Sequence, residues 1–347
     1  MWNRVYLLWA CFGAVLPFLA RSGAFGYGRP AEILFALSFT WVAIVGMAVM
    51  GFFVMDALSL AARLADALAG TTLKRFFIPR RCVPVTAALI VAAVCWSFFE
   101  AWNVRRVDLT LTTSKLPEGV DRLRVVHLTD VHLGGVYAAG RLTRLMDIVR
   151  SAEPDILAMT GDLVDANMTG WENEAGEIAA HGAKYGAFAV PGNHEYYTGI
   201  AQALAFTESA GLTVLRGETA EAGGIAIVGL DDPARFGRSI LEPETLPEGL
   251  VLPKDRFLLL LKHRPQVIEG TAGRFDLQLS GHTHGGQIWP FIHVVSWLNR
   301  SVQHLSFHGE NGESAVYVSN GAGFWGPPLR FLTPPEVTVI DLVRKHL

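Results

Sequence analysis

Charge, cysteine and, over a long stretch, histidine are what this sequence lacks. Charged residues are 18% of the 347, against 51% hydrophobic, which is an apolar balance for a soluble protein. The net charge of −3 gives no overall basic field to draw the chain to nucleic acid. Cys11, Cys82 and Cys95 are the only cysteines, and all precede residue 100. They form no readable disulfide framework and leave the redox compartment open. No histidine precedes His127, although the chain has 11. A Gly-x-Ser-x-Gly turn is also missing, which excludes one familiar serine-hydrolase arrangement. These absences divide the chain: an apolar first hundred residues, then a part of ordinary composition that holds all the imidazole. The length allows more than one domain.

Within the apolar part, Val5–Ala20, Ala31–Met55 and Val83–Trp102 are runs with few charges. A membrane span needs ~20 mostly apolar residues. The second and third meet that length. The first is short, contains Pro17 and has no clear small-residue cleavage site of a secretion signal. The expectation is about three transmembrane helices over residues 1–102. Ala57–Gly70 reads as helix that either lies in the interface plane or extends the second span. The loop Asp56–Cys82 carries Arg63, Lys74, Arg75, Arg80 and Arg81, whereas the first loop has only Arg21 and Arg29. The positive-inside bias then places that loop in the cytoplasm and everything after Trp102 outside. Arg105 and Arg106 oppose that orientation.

Residues 103–120 read as a linker with an extended stretch at Val107–Thr112. Residues 121–347 read as the second domain. Strands are expected at Leu123–Thr129, Asp155–Thr160, Gly186–Val190, Ile225–Leu230, Phe257–Leu261, Phe275–Leu279, Ala315–Ser319 and Val337–Leu342. Helices are expected at Arg141–Ala152, Glu172–His181 and Ile200–Ala210. Alternating strands and helices followed by strands fit a layered α/β domain with one large mixed sheet or two packed sheets.

The polar residues fall just past the strands. Asp130 and His132 follow the first, Asp162 and Asp165 the second, and Asn193, His194 and Glu195 the third. His263 follows Phe257–Leu261, and Gly281-His282-Thr283-His284 follows Phe275–Leu279. In open α/β sheets, sites form beyond the carboxyl ends of the strands. Each cluster has an ordinary explanation: Asp162 as a helix cap, Asn193 in a left-handed turn, His132 and His263 as surface histidines. Together at one place in the strand cycle they read as a site. Mixed Asp, His and Asn donors suit divalent transition metals better than calcium.

These blocks, in this order, resemble the calcineurin-like metallophosphoesterase family, over roughly Leu123 to Leu342. The tail Gly321–Arg330, followed by Pro334-Pro335-Glu336, is similar to a membrane-anchored bacterial branch that includes enzymes of lipid-linked phosphate or pyrophosphate. The resemblance implies an α/β four-layer sandwich, two mixed sheets flanked by helices. It implies two divalent ions, of Mn, Fe, Zn or Co. Asp130, His132 and His284 would hold one, Asn193, His263 and His282 the other, and Asp162 would bridge them. His194 would contact the phosphate and assist the leaving oxygen, with Asp165 and Glu195 in supporting positions.

Gly321-Ala322-Gly323-Phe324-Trp325-Gly326 has the spacing of a dinucleotide fingerprint, but Pro327-Pro328 leaves no room for the helix that motif requires. The run Ile288–Leu298, loop-like and rich in large apolar residues, suggests a wall for a lipid tail. Trp289, Phe291 and Trp297 would form it, with Phe324 and Trp325 extending it; packing as core or dimer surface is the competing reading. The expectation is a multi-pass cell-membrane hydrolase with its catalytic domain outside the cytoplasm. Its partners would be a phosphorylated substrate, a lipid among the candidates, and the membrane; no nucleic acid is expected. A phosphodiesterase of soluble substrates, with the membrane part as anchor, stays open, as does a scaffold with a vestigial site.

Overall fold

The computed structural model of the chain describes residues 29–134, 139–236 and 244–345. The apolar run Val5–Ala20 lies outside the described residues. The chain forms two units. One runs to Glu100 and includes Trp325–Phe331; the other comprises Ala101–Phe324 and Leu332 onward.

The first unit contains helix α1 (Arg29–Ala69), a 3-10 turn (Leu73–Phe76) and helix α2 (Pro79–Trp102). At 41 residues α1 is one continuous helix, so Ala57–Gly70 extends the second apolar run. Its length of roughly 60 Å exceeds the hydrocarbon thickness of about 30 Å. Near its end Asp66 accepts hydrogen bonds from Thr71 Oγ1, Leu73 N and Lys74 N at 2.5, 2.6 and 2.9 Å, which closes the turn towards α2. A Cβ on Gly51 would lie 2.9 Å from Ile90 Cγ1, so glycine there lets the two helices approach. The outward side chains are apolar: Leu37, Val49, Phe53, Val85, Leu89 and Val91 are all exposed. Among the described residues these two helices are long and apolar enough to cross a membrane. The Trp325–Phe331 segment packs on them. The Trp325 and Phe39 rings sit 5.6 Å apart, and Arg330 N donates to Ser97 O at 2.9 Å.

The second unit is built on two six-stranded mixed sheets. The first holds β1 (Arg105–Thr113), β2 (Arg122–Leu128), β3 (Ile156–Thr160), β4 (Ala187–Val190), β5 (Thr213–Val214) and β12 (Glu336–Arg344), in the order β1-β12-β2-β3-β4-β5. Strands β2 to β5 are parallel; β12 is antiparallel to β2 and parallel to β1. The second holds β6 (Glu218–Ala222), β7 (Ile225–Gly229), β8 (Leu258–Leu261), β9 (Leu277–Ser280), β10 (His304–His308) and β11 (Ser314–Val318), in the order β10-β11-β9-β8-β7-β6. Here β7, β8, β9 and β11 are parallel and the edges β6 and β10 antiparallel.

The central strands read as continuous apolar runs because both their faces are covered. Val125, Ile156 and Ile340 of the first sheet pack against Ile227, Leu259, Leu261, Leu277 and Leu279 of the second. The outer face of the first sheet is covered by α3 (Ala139–Ala152), α4 (Glu172–Ala179) and α6 (Ile200–Ser209), through Leu142, Leu145, Met146, Ile178 and Phe206. Leu252, Ile268 and Phe275 cover the second sheet. This is the layered fold of two mixed sheets with flanking helices.

Two stretches differ from the sequence reading. Arg105–Thr113, read inside a linker, is the edge strand β1 and pairs with β12 along its whole length, so the folded unit begins before residue 121. Ile288–Leu298, read as loop-like, contains helix α7 (Phe291–Leu298). Its run of apolar residues gave no polar face from which a helical period could be read.

Candidate metal centre

The parallel strands of both sheets end at one place. Asp130 and His132 leave β2, and Asp162 and Asp165 leave β3. Asn193, His194 and Glu195 open the short helix α5 (Asn193–Thr198) after β4. His263 follows β8, and His282 and His284 follow β9. His263 Nδ1 hydrogen-bonds Thr160 O at 2.8 Å, and His282 N donates to Asp130 Oδ2 at 3.0 Å. These bonds tie the ends of the second sheet to those of the first.

The local backbone is unusual. Asp130, His132, Asp162, His282 and His284 all have positive φ, between 50° and 68°. Non-glycine residues rarely adopt this region, and such strain clusters at functional sites. Glycines make room beside the carboxylates. A Cβ on Gly192 would collide with Asp162 Oδ1, and one on Gly281 with Asp130 Oδ2 and Thr129 Oγ1.

Asp162 is the hub. Its Oδ2 lies 3.1 Å from His263 Nε2, 3.9 Å from His132 Nε2 and 4.0 Å from His194 Nε2. Its Oδ1 accepts from His194 N at 2.9 Å. On one side of this carboxylate, His132 Nε2 and His284 Nε2 face each other at 3.0 Å, and His284 Nε2 is 3.4 Å from Asp130 Oδ1. On the other, His263 Nε2 is 3.2 Å from both Asn193 Oδ1 and His282 Nδ1. Asp165 Oδ1 lies 2.6 Å from His194 Nδ1, which fixes that ring. Glu195 accepts from the N–H groups of Gly192, Asp162, Leu163 and Val164 at 2.6, 3.0, 2.7 and 3.2 Å. It therefore holds the loop that carries Asp162.

The donor set fits cations. Asp130, His132 and His284 form one group whose donor atoms lie within 4.8 Å of one another, and Asp162, His263 and His282 form another. Two ring nitrogens facing at 3.0 Å share one proton at most when neutral, whereas a cation accepts both lone pairs. His132 Nδ1 is buried and has no hydrogen-bond partner among the described residues.

Electrostatics follow from burial and from Asp162. Burial pushes His132 down to about 3 and Asp130 up to about 6. Burial and then the charge on His263 hold His282 well below the usual imidazole range. For Asp162, burial is outweighed by the charges of His263 and His194, and the carboxyl stays well below its usual range. For His263 and His194, burial is likewise outweighed, chiefly by Asp162, and they rise to about 10 and about 9. Burial and Asp162 push Glu195 up to about 7.

The structure thus brings Asp130, His132, Asp162, Asp165, Asn193, His194, Glu195, His263, His282 and His284 together. The five residues suggested as a lipid wall have different surroundings. Phe324 is buried, with the Arg141 guanidinium 4.4 Å above its ring and Trp102 beside it. Trp325 belongs to the other unit, on Phe39. Trp289, Phe291 and Trp297 are exposed. The sequence reading also passed over Asp232, which pairs bidentately with Arg264 at 2.9 and 3.0 Å beside His263. Its signal was available, since Asp231-Asp232 follows a buried strand as the other site carboxylates do. Arg141, whose guanidinium donates to Val131 O and His132 O, had no such signal.

Comparison with known proteins gives the family. The profile of the calcineurin-like phosphoesterase family matches residues 123–286. An uncharacterized metallophosphoesterase of Aquifex aeolicus is 36% identical over 72% of this chain and 96% of its own length. One of Campylobacter jejuni is 32% identical over 89% of this chain and 83% of its own. A Danio rerio protein described as a transmembrane protein with a metallophosphoesterase domain is 28% identical over 74% of this chain and 62% of its own. The chain belongs to the calcineurin-like metallophosphoesterase family. It is a metal-dependent hydrolase of phosphoric esters, and its substrate carries a phosphate.

Proposed function

We propose that the chain is a membrane-bound binuclear phosphoesterase that cleaves phosphoester or pyrophosphate bonds of a lipid-linked or envelope-precursor substrate. In this reading Asp130, His132 and His284 hold one divalent ion, Asn193, His263 and His282 hold the second, and Asp162 bridges. The observation that carries it is the single oxygen Asp162 Oδ2, on which three imidazoles converge within 4.0 Å between two donor groups. When bound, the ions supply Lewis acidity towards the phosphoryl oxygens and the attacking water. His194 stands beside this pair with Nδ1 held by Asp165 Oδ1 at 2.6 Å and Nε2 4.0 Å from Asp162 Oδ2, and in this reading it contacts the phosphate. In the metal-free protein burial is outweighed by Asp162 and Asp165, which raise it to about 9; in this reading it is the group that assists the departing oxygen. Glu195 fixes the Asp162 loop through backbone donors.

The membrane reading is multi-pass, with α1 and α2 as spans, Asp56–Cys82 in the cytoplasm and the catalytic unit outside. It rests on the apolar length of the helices and on the basic loop. Support for a lipid-linked substrate comes from the chain path. Gly323 N donates to Asp130 O at 2.8 Å, and two residues later Trp325 packs on Phe39 of α1.

The test is hydrolysis by metal-loaded full-length protein in lipid vesicles, with bis(p-nitrophenyl) phosphate beside a panel of lipid phosphates and pyrophosphates. Higher kcat/KM on a lipid substrate supports the reading. Turnover of the soluble diester alone would contradict the substrate class, and no turnover of any phosphoester would contradict the hydrolase assignment.

A further inference from the structure

Helix α7 buries none of its residues and carries no formal charge. From Gly285 to Asn299 the sequence contains no Asp, Glu, Lys or Arg. Phe291, Val294 and Trp297 recur every three residues, which sets them along one face. They are 47%, 49% and 77% exposed, and Trp289 just before the helix is 48% exposed. A helix that faces water carries polar side chains on its outer face; here three of the four exposed residues of the helix, Phe291, Val294 and Trp297, are apolar, and His293 is the fourth. Leu332, 58% exposed, adds to the same stretch, because its neighbour Thr333 donates from Oγ1 to Gln287 O at 2.5 Å.

The occupant of this face follows from the chain path. Leu332 directly follows Phe331, the last residue of the segment that packs on α1 and α2. The unit that carries α7 also begins its first strand at Arg105, three residues after Trp102 closes α2. Three residues of extended chain reach only ~10 Å. A short helix without formal charge, rich in large apolar residues and carrying tryptophan, with only His293 and Ser296 polar, is a composition that settles at the boundary between headgroups and acyl chains.

We infer that α7 is an interfacial docking helix, and that Phe291, Val294 and Trp297, with Trp289 and Leu332, enter the headgroup–acyl boundary of the bilayer that α1 and α2 cross. This rests on the membrane reading of those two helices. The device is coupled to the metal centre. The turn His284–Gly286 leads into α7, and a Cβ on Gly286 would collide with the backbone of Phe291 and Ile292. Docking of α7 therefore fixes the turn that carries His282 and His284 relative to the headgroup plane. A phosphate ester at headgroup depth then meets the metal centre without leaving the bilayer, which selects amphiphilic substrates by position.

The experiment uses full-length protein in phosphatidylcholine vesicles, with Cys11, Cys82 and Cys95 replaced by serine and a nitroxide attached at Val294→Cys. A label at Val251→Cys, where the native residue is 75% exposed, is the aqueous reference. Bound metal content serves as the folding control for both variants. The inference predicts that the label at 294 collides with oxygen more than with a water-soluble nickel reagent, and that the label at 251 does the reverse. An aqueous profile at 294 overturns it. Low access to both reagents, with spin–spin broadening between labels at 294, overturns it in favour of a second copy of the chain on this face. Alkaline extraction keeps the failures apart: if the washed vesicles lose the protein, the membrane reading itself has failed; if they retain it, an aqueous profile refutes only the docking.

Discussion

At the scale of single residues, the proposed centre turns on Asp162, the carboxylate on which three imidazoles converge. Asp162 has no redundant partner, so Asp162→Ala should remove metal and activity together, a loss of at least ~1,000-fold in kcat/KM read on bis(p-nitrophenyl) phosphate. His194→Ala should leave metal content intact and lower kcat by about 100- to 10,000-fold, the usual contribution of a positioned acid. Metal analysis beside kinetics separates the two. Protons also compete with metal at this site. In the metal-free protein His263 is raised to about 10 by Asp162, so the ring is protonated near neutral pH. A metal ligand must be deprotonated, so loading at pH 7.5 should release protons, and metal affinity should fall as pH falls. Titration calorimetry in buffers of different ionisation enthalpy measures this; loading without proton release would refute it.

At the scale of elements, the site depends on strand ends meeting across two sheets. Gly281 stands where β9 leaves its sheet against Thr129 and Asp130. Gly281→Ala should cost ~1–3 kcal/mol of stability by overpacking and weaken metal binding, while an alanine at exposed Gly249 should do little to metal affinity. Thermal unfolding with and without metal gives both numbers. The elements also show what the sequence discloses. β3 and β8 were legible because their runs are apolar on both faces, β2 through Val125, Val126 and Leu128, and β9 through the alternation of Phe275, Leu277 and Leu279; the candidate site residues drew notice because they sit at the ends of those runs. β5, β6 and β10 were not: Thr213–Val214 is two residues long, and Glu218–Ala222 and His304–His308 are edge strands whose polar residues blur any period. The surroundings of two of the suggested wall residues were hidden for a related reason. Sequence marks Phe324 and Trp325 as large and apolar, but only the fold reveals that one is buried under Arg141 and the other packs on Phe39.

At the scale of the whole molecule, a metal hydrolase is joined to membrane-length helices at two points in the chain, after Glu100 and around Trp325–Phe331. The division was readable from composition, since the apolar excess and the histidines do not overlap. The return of Trp325–Phe331 to the helices was not, because a short loop carries no signal of its distant partner. If the catalytic unit lies outside the cytoplasm, protease added to sealed cells should digest it; protection until lysis would reverse the orientation. The most direct test of the account is metal stoichiometry of purified full-length protein, measured together with phosphoester hydrolysis for the native chain and Asp162→Ala. The account predicts two divalent ions per native chain with activity, and loss of both ions and activity in the variant. Full activity in Asp162→Ala, or hydrolysis by native protein stripped of metal, would contradict it.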